Sequence, residues 1–152
     1  MIYSVVMQIY LDTCSLQRPL DDRSNPRNNV EAEAILTILG VIEKYNITLV
    51  SSEVLEYEIS KIPDEDRKNK VCEVLDISNK HLKLDDEIEN KAKEYIEQGI
   101  KPMDALHLSS AVMNQVHYFC TTDDKLFKKA KKSDTANTRV VSPLELIIEV
   151  IE

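Results

Sequence analysis

Short apolar runs alternate with longer amphipathic stretches along this chain. Four of the apolar runs predict buried β-strands, at about residues 2–11, 47–50, 118–120 and 140–141. Between them, apolar side chains recur every three or four residues, as in residues 34–42, which is the spacing of a helix. Strands that alternate with helices predict an α/β fold, with a central parallel sheet of about four strands flanked by helices on both faces. The length of 152 residues fits one domain, residues 1–152.

Capping residues and prolines set the predicted helix boundaries. Serine or aspartate precedes several amphipathic stretches, where the side chain can accept a hydrogen bond from a free N–H group of the first turn. The candidate caps are Ser51 or Ser52, Asp64, and the pair Asp85-Asp86. The predicted helices cover about residues 30–45, 53–61, 64–75 and 85–96, begin again at 102, and follow Asp124 and Pro143. The polar segment 16–29 contains Pro19 and Pro26 and predicts a loop. Leu82 and Leu84 predict either a short strand or an extended lead-in to the next helix.

Acidic residues gather at the predicted carboxyl edge of the sheet, where ligands of open parallel sheets bind. Asp12 directly follows the first strand, and Asp104 lies in the first turn of the helix before the third strand. The others lie just after the second and third strands: Glu53, Glu56, Glu58, Asp123 and Asp124. Crowded carboxylates repel one another unless a cation holds them, and oxygen ligands without His or Cys select Mg²⁺ or Mn²⁺. Such a site suits hydrolysis of phosphodiester bonds.

Most of these acids also have an ordinary structural explanation. Asp104, in a first turn, would interact favourably with the helix dipole, and Asp123 or Asp124 would cap the helix that follows. Glu56 fits a solvated helix face. Asp12 is harder to explain in this way, because a carboxylate at the end of a buried strand needs a partner or an ion.

The composition and charge of the chain exclude several classes of function. With 19 Lys and Arg against 27 Asp and Glu, the formal net charge of −8 is wrong for a protein that coats nucleic acid through bulk positive charge. The longest apolar runs are too short to span a membrane. Three separated cysteines without a C-x-x-C pair or an export signal predict free thiols and a cytoplasmic protein. The three histidines lack zinc-site spacing.

Four segments, in order, resemble the motifs of PIN-domain nucleases. Residues 9–13 (Ile-Tyr-Leu-Asp-Thr) resemble the opening strand and its Asp-Thr pair. Ser52 followed by Glu58 resembles the second motif, and residues 102–111 (Pro-Met-Asp-Ala-Leu-His-Leu-Ser-Ser-Ala) resemble the third, which is the most specific match. Residues 119–126 resemble the fourth, a strand followed by Thr-x-Asp.

The resemblance implies a metal-dependent endoribonuclease, since PIN domains of this size are often VapC-type toxins of toxin–antitoxin pairs. It implies Mg²⁺ or Mn²⁺ as cofactor, RNA as substrate, an antitoxin as partner and a homodimer. Carried over by position, the catalytic and metal-binding acids are Asp12, Glu58, Asp104 and Asp123. Supporting positions are Thr13, Thr121, Thr122 and Asp124. Two departures are Cys14, where many members have Asn, and a longer segment at residues 16–22.

The second acid remains open among three glutamates. Glu58 has the expected offset of six residues from Ser52, and Glu53 and Glu56 are the alternatives. His107, one turn after Asp104, is expected to pack or cap within its helix rather than to act in catalysis.

Basic residues flank the predicted acidic edge. Candidate contacts to RNA phosphates are Arg18, Lys125, Lys128 and Lys129. A solubilising lysine face explains the lysines equally well.

Two other functions compete with the nuclease. A PIN-like module that regulates by binding RNA or protein would have lost one or more site acids, whereas all four positions are acidic here. A phosphotransferase or phosphatase of the haloacid-dehalogenase type would need Asp-x-Asp, and residues 12–15 (Asp-Thr-Cys-Ser) lack the second aspartate.

Overall fold

Five parallel strands form one sheet in the computed structural model, which describes residues 6–151. The strands are β1 (Met7–Leu11), β2 (Ile47–Ser52), β3 (Lys80–Leu82), β4 (Tyr118–Cys120) and β5 (Arg139–Val141). Their order across the sheet is β3-β2-β1-β4-β5, so the first strand is central. The predicted α/β fold with a parallel sheet of about four strands is therefore confirmed. The proposed start of the first strand at residues 2–5 lies outside the described residues.

Helices connect the strands. They are α1 (Thr13–Gln17), α2 (Pro26–Lys44), α3 (Glu53–Ser60), α4 (Glu65–Leu75), α5 (Asp86–Glu97), α6 (Pro102–Met113), α7 (Asp124–Lys131) and α8 (Pro143–Ile151). The predicted caps are present: Ser52 Oγ accepts the N–H of Leu55 at 3.0 Å, and Asp85 accepts the N–H of Ile88 at 2.8 Å. These bonds satisfy N–H groups that a helix start leaves free. None of the helices within residues 6–151 has the length and apolar character needed to cross a membrane.

The prediction of a loop over residues 16–29 was wrong at both ends. Helix α1 covers its first residues, a 3-10 helix follows at Arg18–Leu20, and α2 already begins at Pro26. Asn25 caps α2 by accepting the N–H of Asn28 at 3.1 Å. Proline suits this first helical position, because its fixed φ is helical and its missing N–H would have had no partner.

The segment around Leu82, predicted as a short strand or an extended lead-in, is a strand, β3, which adds to the four predicted ones. Residues 80–82 pair in parallel with the end of β2, where Val50 is aligned with Lys80 and Ser52 with Leu82. Leu82 is buried there, whereas the next residues lead into the Asp85 cap of α5.

The centre of the sheet brings the ends of β1 and β4 together. Leu11 is aligned with Cys120, and the backbone N–H of Asp12 donates to the Cys120 carbonyl at 3.1 Å. Strand β1 is fixed by the burial of Ile9, Tyr10 and Leu11, which are fully inaccessible to solvent. Burial of each such side chain contributes about 1.5–3 kcal/mol. As predicted, Asp12 and the segment leading to Asp123 follow neighbouring strands at one edge.

Candidate active site

Carboxylate charges from four segments act on Cys14, in the first turn of α1. Desolvation raises the pKa of the Cys14 thiol to about 12, and the charges of Asp12, Asp104, Asp123 and Glu58 add to the shift. A like charge perturbs a titrating group in this way only from nearby. The four predicted acids thus lie near enough to Cys14, at the carboxyl edge of the sheet, for their charges to act on its thiol.

Asp12 is the most buried of these acids, with 3% of its surface exposed. Burial raises the pKa of its carboxyl group, against the lowering effect of hydrogen bonds from Thr121 and Ser15. Its Oδ1 accepts the backbone N–H of Ser15 at 2.9 Å, so Asp12 also caps α1. These bonds fix its carboxylate in place at the base of the site.

Asp104 lies in the first turn of α6 and is half-buried. Desolvation and then the charge of Asp12 raise the pKa of Asp104 to about 6, while His107 opposes the shift. Asp123 and Glu58 raise it further. The ionised Asp104 carboxylate is therefore repelled by its acidic neighbours, and a bound cation would relieve this repulsion.

The donor set fits a hard divalent cation by its chemistry, because the four acids offer only oxygen ligands. In the arrangement seen, no three His, Cys, Asp or Glu side chains within residues 6–151 are grouped closely enough to hold a metal ion. The carboxylates would therefore have to turn towards each other to share one.

The stability of the metal-free protein should reveal this repulsion. The raised pKa of Asp104 means that the folded state binds its proton more tightly than the unfolded state, so stability is lost as the pH rises from about 4 through about 6. The gain in stability on removing this charge is reduced because Asp104 is partly exposed and because a negative charge at a helix start is favourable. Asp104→Asn should therefore stabilise the metal-free protein by ~1 kcal/mol at pH 7.

Urea unfolding in EDTA at pH 4 and pH 7 measures this effect. The stabilisation should be much smaller at pH 4, where the Asp104 carboxyl is protonated in the folded state and only partly ionised in the unfolded state. Asp86→Asn is the matched control, since Asp86 lies exposed in the first turn of α5, and it should be neutral or slightly destabilising. A less stable Asp104→Asn protein at pH 7 would contradict the repulsion.

Asp123 and Asp124 take different roles. The Oδ1 of Asp123 accepts the N–H groups of Lys125 and Leu126 at 2.9 and 3.1 Å, capping α7. The N–H of Asp123 donates to Thr121 Oγ1 at 3.0 Å, so Thr121 links Asp123 to Asp12. Asp124 instead forms a bidentate pair with Arg27 of α2, with both distances 2.7 Å. Asp124 therefore forms an ion pair at the rim of the site.

The three glutamates of α3 point in different directions. Glu53 is exposed, and the carboxylate of the exposed Glu56 lies 3.3 Å from His81 Nε2. Glu58 accepts hydrogen bonds from the Thr13 hydroxyl and from His107 Nε2, the latter at 2.7 Å. Partial burial would raise the pKa of Glu58, but these two hydrogen bonds outweigh it and lower the pKa below its usual value. Glu58 is thus ionised and directed at the site.

Sequence comparison identifies the family. The model of the PIN domain matches residues 9–132, which is most of the chain. This chain belongs to the PIN domain family. The resemblance found in the four motifs is therefore confirmed. PIN domains are generally nucleases, and those nucleases generally use divalent metals. Among curated proteins, none matches this chain.

Two solved structures share the PIN fold with this chain. One is VapBC2 from Rickettsia felis bound to a DNA fragment from their promoter, with a TM-score of 0.60 and 16% identity; the match covers 88% of this chain and 98% of that chain. The other is PAE2754 from Pyrobaculum aerophilum, with a TM-score of 0.57 and 14% identity over 96% of this chain and 90% of that chain.

The sequence prediction for His107 missed its contact with the acidic site. His107 is 1% exposed, and its two ring nitrogens contact Tyr10 and Glu58. Tyr10 is a buried residue of β1 two positions before the extended Asp12, a spacing that puts both side chains on the same side of an extended chain. That shared side, together with the spacing of His107 one turn after Asp104, is the sequence signal that could have indicated the contact.

The predicted RNA contacts are placed unequally around the PIN-domain site. Arg18 forms ion pairs with Asp21 at 2.9 Å and with the buried Glu31 at 3.1 Å, and it also lines a cleft together with Asp123. Lys125 and Lys129 line a small recess beside Asp104 and Asp123, and Lys128 is exposed on the same helix. Lys125 and Lys128 are thus accessible at the rim, whereas Lys129 Nζ donates to the Gly99 carbonyl at 2.7 Å. Thr122 and Asp123 line a neighbouring cleft.

A larger cleft that sequence reasoning missed opens on the other side of α1. Its volume is about 560 Å³, and its lining includes Glu58 and Thr13 of the site and the exposed Lys61. Cys14 and Gln17 separate it from the cleft of about 290 Å³ that contains Asp123. Glu58 thus lines one depression and Asp123 the other.

Proposed function

We propose that this PIN domain is a Mg²⁺- or Mn²⁺-dependent endoribonuclease that hydrolyses RNA phosphodiester bonds. The observation that carries the proposal is that the charges of Asp12, Glu58, Asp104 and Asp123 act together on Cys14, and that three of these acids raise the pKa of the fourth, Asp104. Membership of the PIN family supports a nuclease with a divalent metal.

The four acids would hold the cation. When bound, a divalent cation lowers the pKa of water and stabilises the charge that develops on a phosphate group under attack. Asp12 supplies a fixed carboxylate at the base, since Ser15 and Thr121 hold it. The Thr13 hydroxyl orients Glu58 by donating to its Oε1.

An RNA strand would cross the acids between the two clefts beside α1. Lys61 on one side, and Lys125 and Lys129 on the other, supply positive charge for its phosphates. Unpaired bases can enter such depressions, whereas the bases of a duplex remain stacked. Single-stranded RNA is therefore the favoured substrate.

Cleavage by the purified protein tests the proposed function. With millimolar Mn²⁺ or Mg²⁺, the protein should cut single-stranded RNA and leave 3′-hydroxyl and 5′-phosphate ends. In this reaction water attacks the phosphorus, the P–O3′ bond breaks and the 3′ oxygen leaves as a hydroxyl group, so the ribose 2′-hydroxyl takes no part. EDTA should stop the reaction. RNA binding without cleavage would favour the regulatory module, and undiminished cleavage in EDTA would exclude the metal mechanism.

We also propose that the enzyme is the toxin of a toxin–antitoxin pair. The structural likeness to VapBC2 of Rickettsia felis, a complex of two partners, supports an antitoxin protein as partner. The family resemblance further implies a homodimer, which light scattering on the purified protein tests. We place the protein in the cytoplasm, where Cys14, Cys72 and Cys120 would stay reduced.

Helix α7, which carries Lys128 and Lys129, allows RNA binding to be tested separately from catalysis. Lys128→Ala together with Lys129→Ala should weaken RNA binding and reduce the slope of log affinity against log salt by about 1–2, because two phosphate contacts are lost. The control pair is Lys44→Ala with Lys80→Ala, at the opposite edge of the sheet, where β2 and β3 begin. Fluorescence anisotropy at several salt concentrations measures both. Equal slopes for the two pairs would indicate a merely solubilising lysine face.

A further inference from the structure

A hydrogen-bond chain runs through the protein core to Glu58. Ser52 Oγ lies 2.7 Å from Tyr10 Oη, and Tyr10 Oη lies 2.6 Å from His107 Nδ1. His107 Nε2 lies 2.7 Å from Glu58 Oε1. Ser52 and Tyr10 are inaccessible to solvent, and His107 is 1% exposed. The chain therefore connects the buried ends of β1 and β2 to a carboxylate at the mouth of the site.

When His107 is neutral, the ionised Glu58 carboxylate sets the direction of each hydrogen bond in this chain. An ionised carboxylate only accepts, so His107 Nε2 donates to Glu58. In the neutral imidazole, Nδ1 then accepts from the Tyr10 hydroxyl. Ser52 Oγ already accepts the N–H of Leu55 and can donate its own proton to Tyr10 Oη. All the donors point towards Glu58, and hydrogen bonds in such a row strengthen one another.

Packing fixes the rings that carry this chain. The Tyr10 ring stacks on Phe119, with centroids 5.4 Å apart and an angle of 25° between the planes. It meets the His107 ring edge-on, with centroids 5.7 Å apart. Glu58 itself lies on a half-exposed helix surface, and its long side chain has several rotamers to lose when it is ordered. The buried rings supply an anchor that the glutamate lacks on its own helix.

We propose that Tyr10 and His107 are positioning residues that fix the Glu58 carboxylate in the orientation needed to bind a divalent cation. The proposal rests on the proposed function, because it takes Glu58 as a metal ligand. Partners of ligand side chains hold the ligand atoms in place, and their loss typically lowers metal affinity by about 10–100-fold. The core of the sheet thereby takes part in setting the geometry of the site.

A pair of tyrosine variants tests the proposal. Tyr10→Phe keeps the packed ring and removes only the hydroxyl. Tyr95→Phe is the matched control, because Tyr95 is 1% exposed and donates its own buried hydrogen bond to the Asp134 carbonyl at 2.7 Å. Calorimetric titration with Mn²⁺ alone should show about 10-fold weaker binding for Tyr10→Phe and unchanged binding for Tyr95→Phe. A general loss of stability would affect both variants alike.

Histidine variants and a double variant show whether the effect passes through Glu58. His107→Gln keeps a donor for the carboxylate and should retain more Mn²⁺ affinity than His107→Leu. Tyr10→Phe should cause no further loss when Glu58→Gln is already present, because the group that it positions is gone. In the metal-free protein, ¹⁵N NMR should show His107 protonated at Nε2, and Tyr10→Phe should shift its Nδ1 resonance.

The outcomes separate this proposal from the proposed function. Wild-type protein that binds Mn²⁺ with an affinity that Tyr10→Phe does not change would overturn the positioning role alone. An equal loss with and without Glu58→Gln would show that Tyr10 acts by another route and would overturn it too. Failure of the wild-type protein to bind Mn²⁺ would overturn both.

Discussion

Asp104→Asn should lower the rate of RNA cleavage by at least about 100-fold, the scale on which one charged group that stabilises a transition state acts. The substitution removes a charge that the cation needs and keeps the size of the side chain. Asp104 has few competing structural duties: Lys101 caps α6 only through its backbone, and Asp104 lies in the half-buried first turn. Initial rates on a fluorescent single-stranded RNA at saturating Mn²⁺ measure the loss.

The expected gain in metal-free stability makes this result hard to mistake for unfolding. A variant that is more stable without metal and yet inactive with metal has lost chemistry, not structure. Asp86→Asn again serves as the control and should cleave at the wild-type rate. Undiminished cleavage by Asp104→Asn would point to a contaminating nuclease or to another active site.

The periodicity of the sequence was sufficient to predict the fold, because strands and helices of this sheet differ in length and in spacing. The capping residues Ser52 and Asp85 were predictable for the same local reason, since a cap acts on the three residues that follow it. The start of α2 at Pro26 was missed because proline favours both a loop and a first helical turn. Proline alone does not decide between a loop and a helix start; the side chain of Asn25, which caps α2, does.

Side-chain partners between distant segments were less predictable. Arg18 was predicted as an RNA contact, and its ion pairs with Glu31 and Asp21, which form once α2 folds back beside the 3-10 helix, were not predicted. Tyr10 and His107 are 97 positions apart, and only the pairing of β1 with β4 and the packing of α6 bring their polar atoms within 2.6 Å. Residue types and spacing identified candidate acids, whereas the groups that orient them depend on the assembled core.

Expression of the wild-type chain from an inducible promoter in a bacterial host should stop growth, and Asp104→Asn should not. A nuclease is catalytic, so a small number of molecules can destroy many RNAs, whereas a binding module acts only in proportion to its amount. The Asp86→Asn control should arrest growth as the wild type does. Viable counts after induction, together with the integrity of total RNA, measure the effect.

The variants distinguish the three functions under comparison. Arrest by wild type and control, but not by Asp104→Asn, ties toxicity to the acidic site and supports a toxin that cleaves RNA. Equal arrest by Asp104→Asn would mean that binding or overproduction harms the cell, which favours the regulatory module. Continued growth with the wild type, despite cleavage by the purified enzyme, would remove the toxin proposal and leave the nuclease. If growth does stop, co-expression of a small protein encoded beside this gene should restore it when that protein is the antitoxin, because a bound partner would cover the acids or block the clefts on either side of α1.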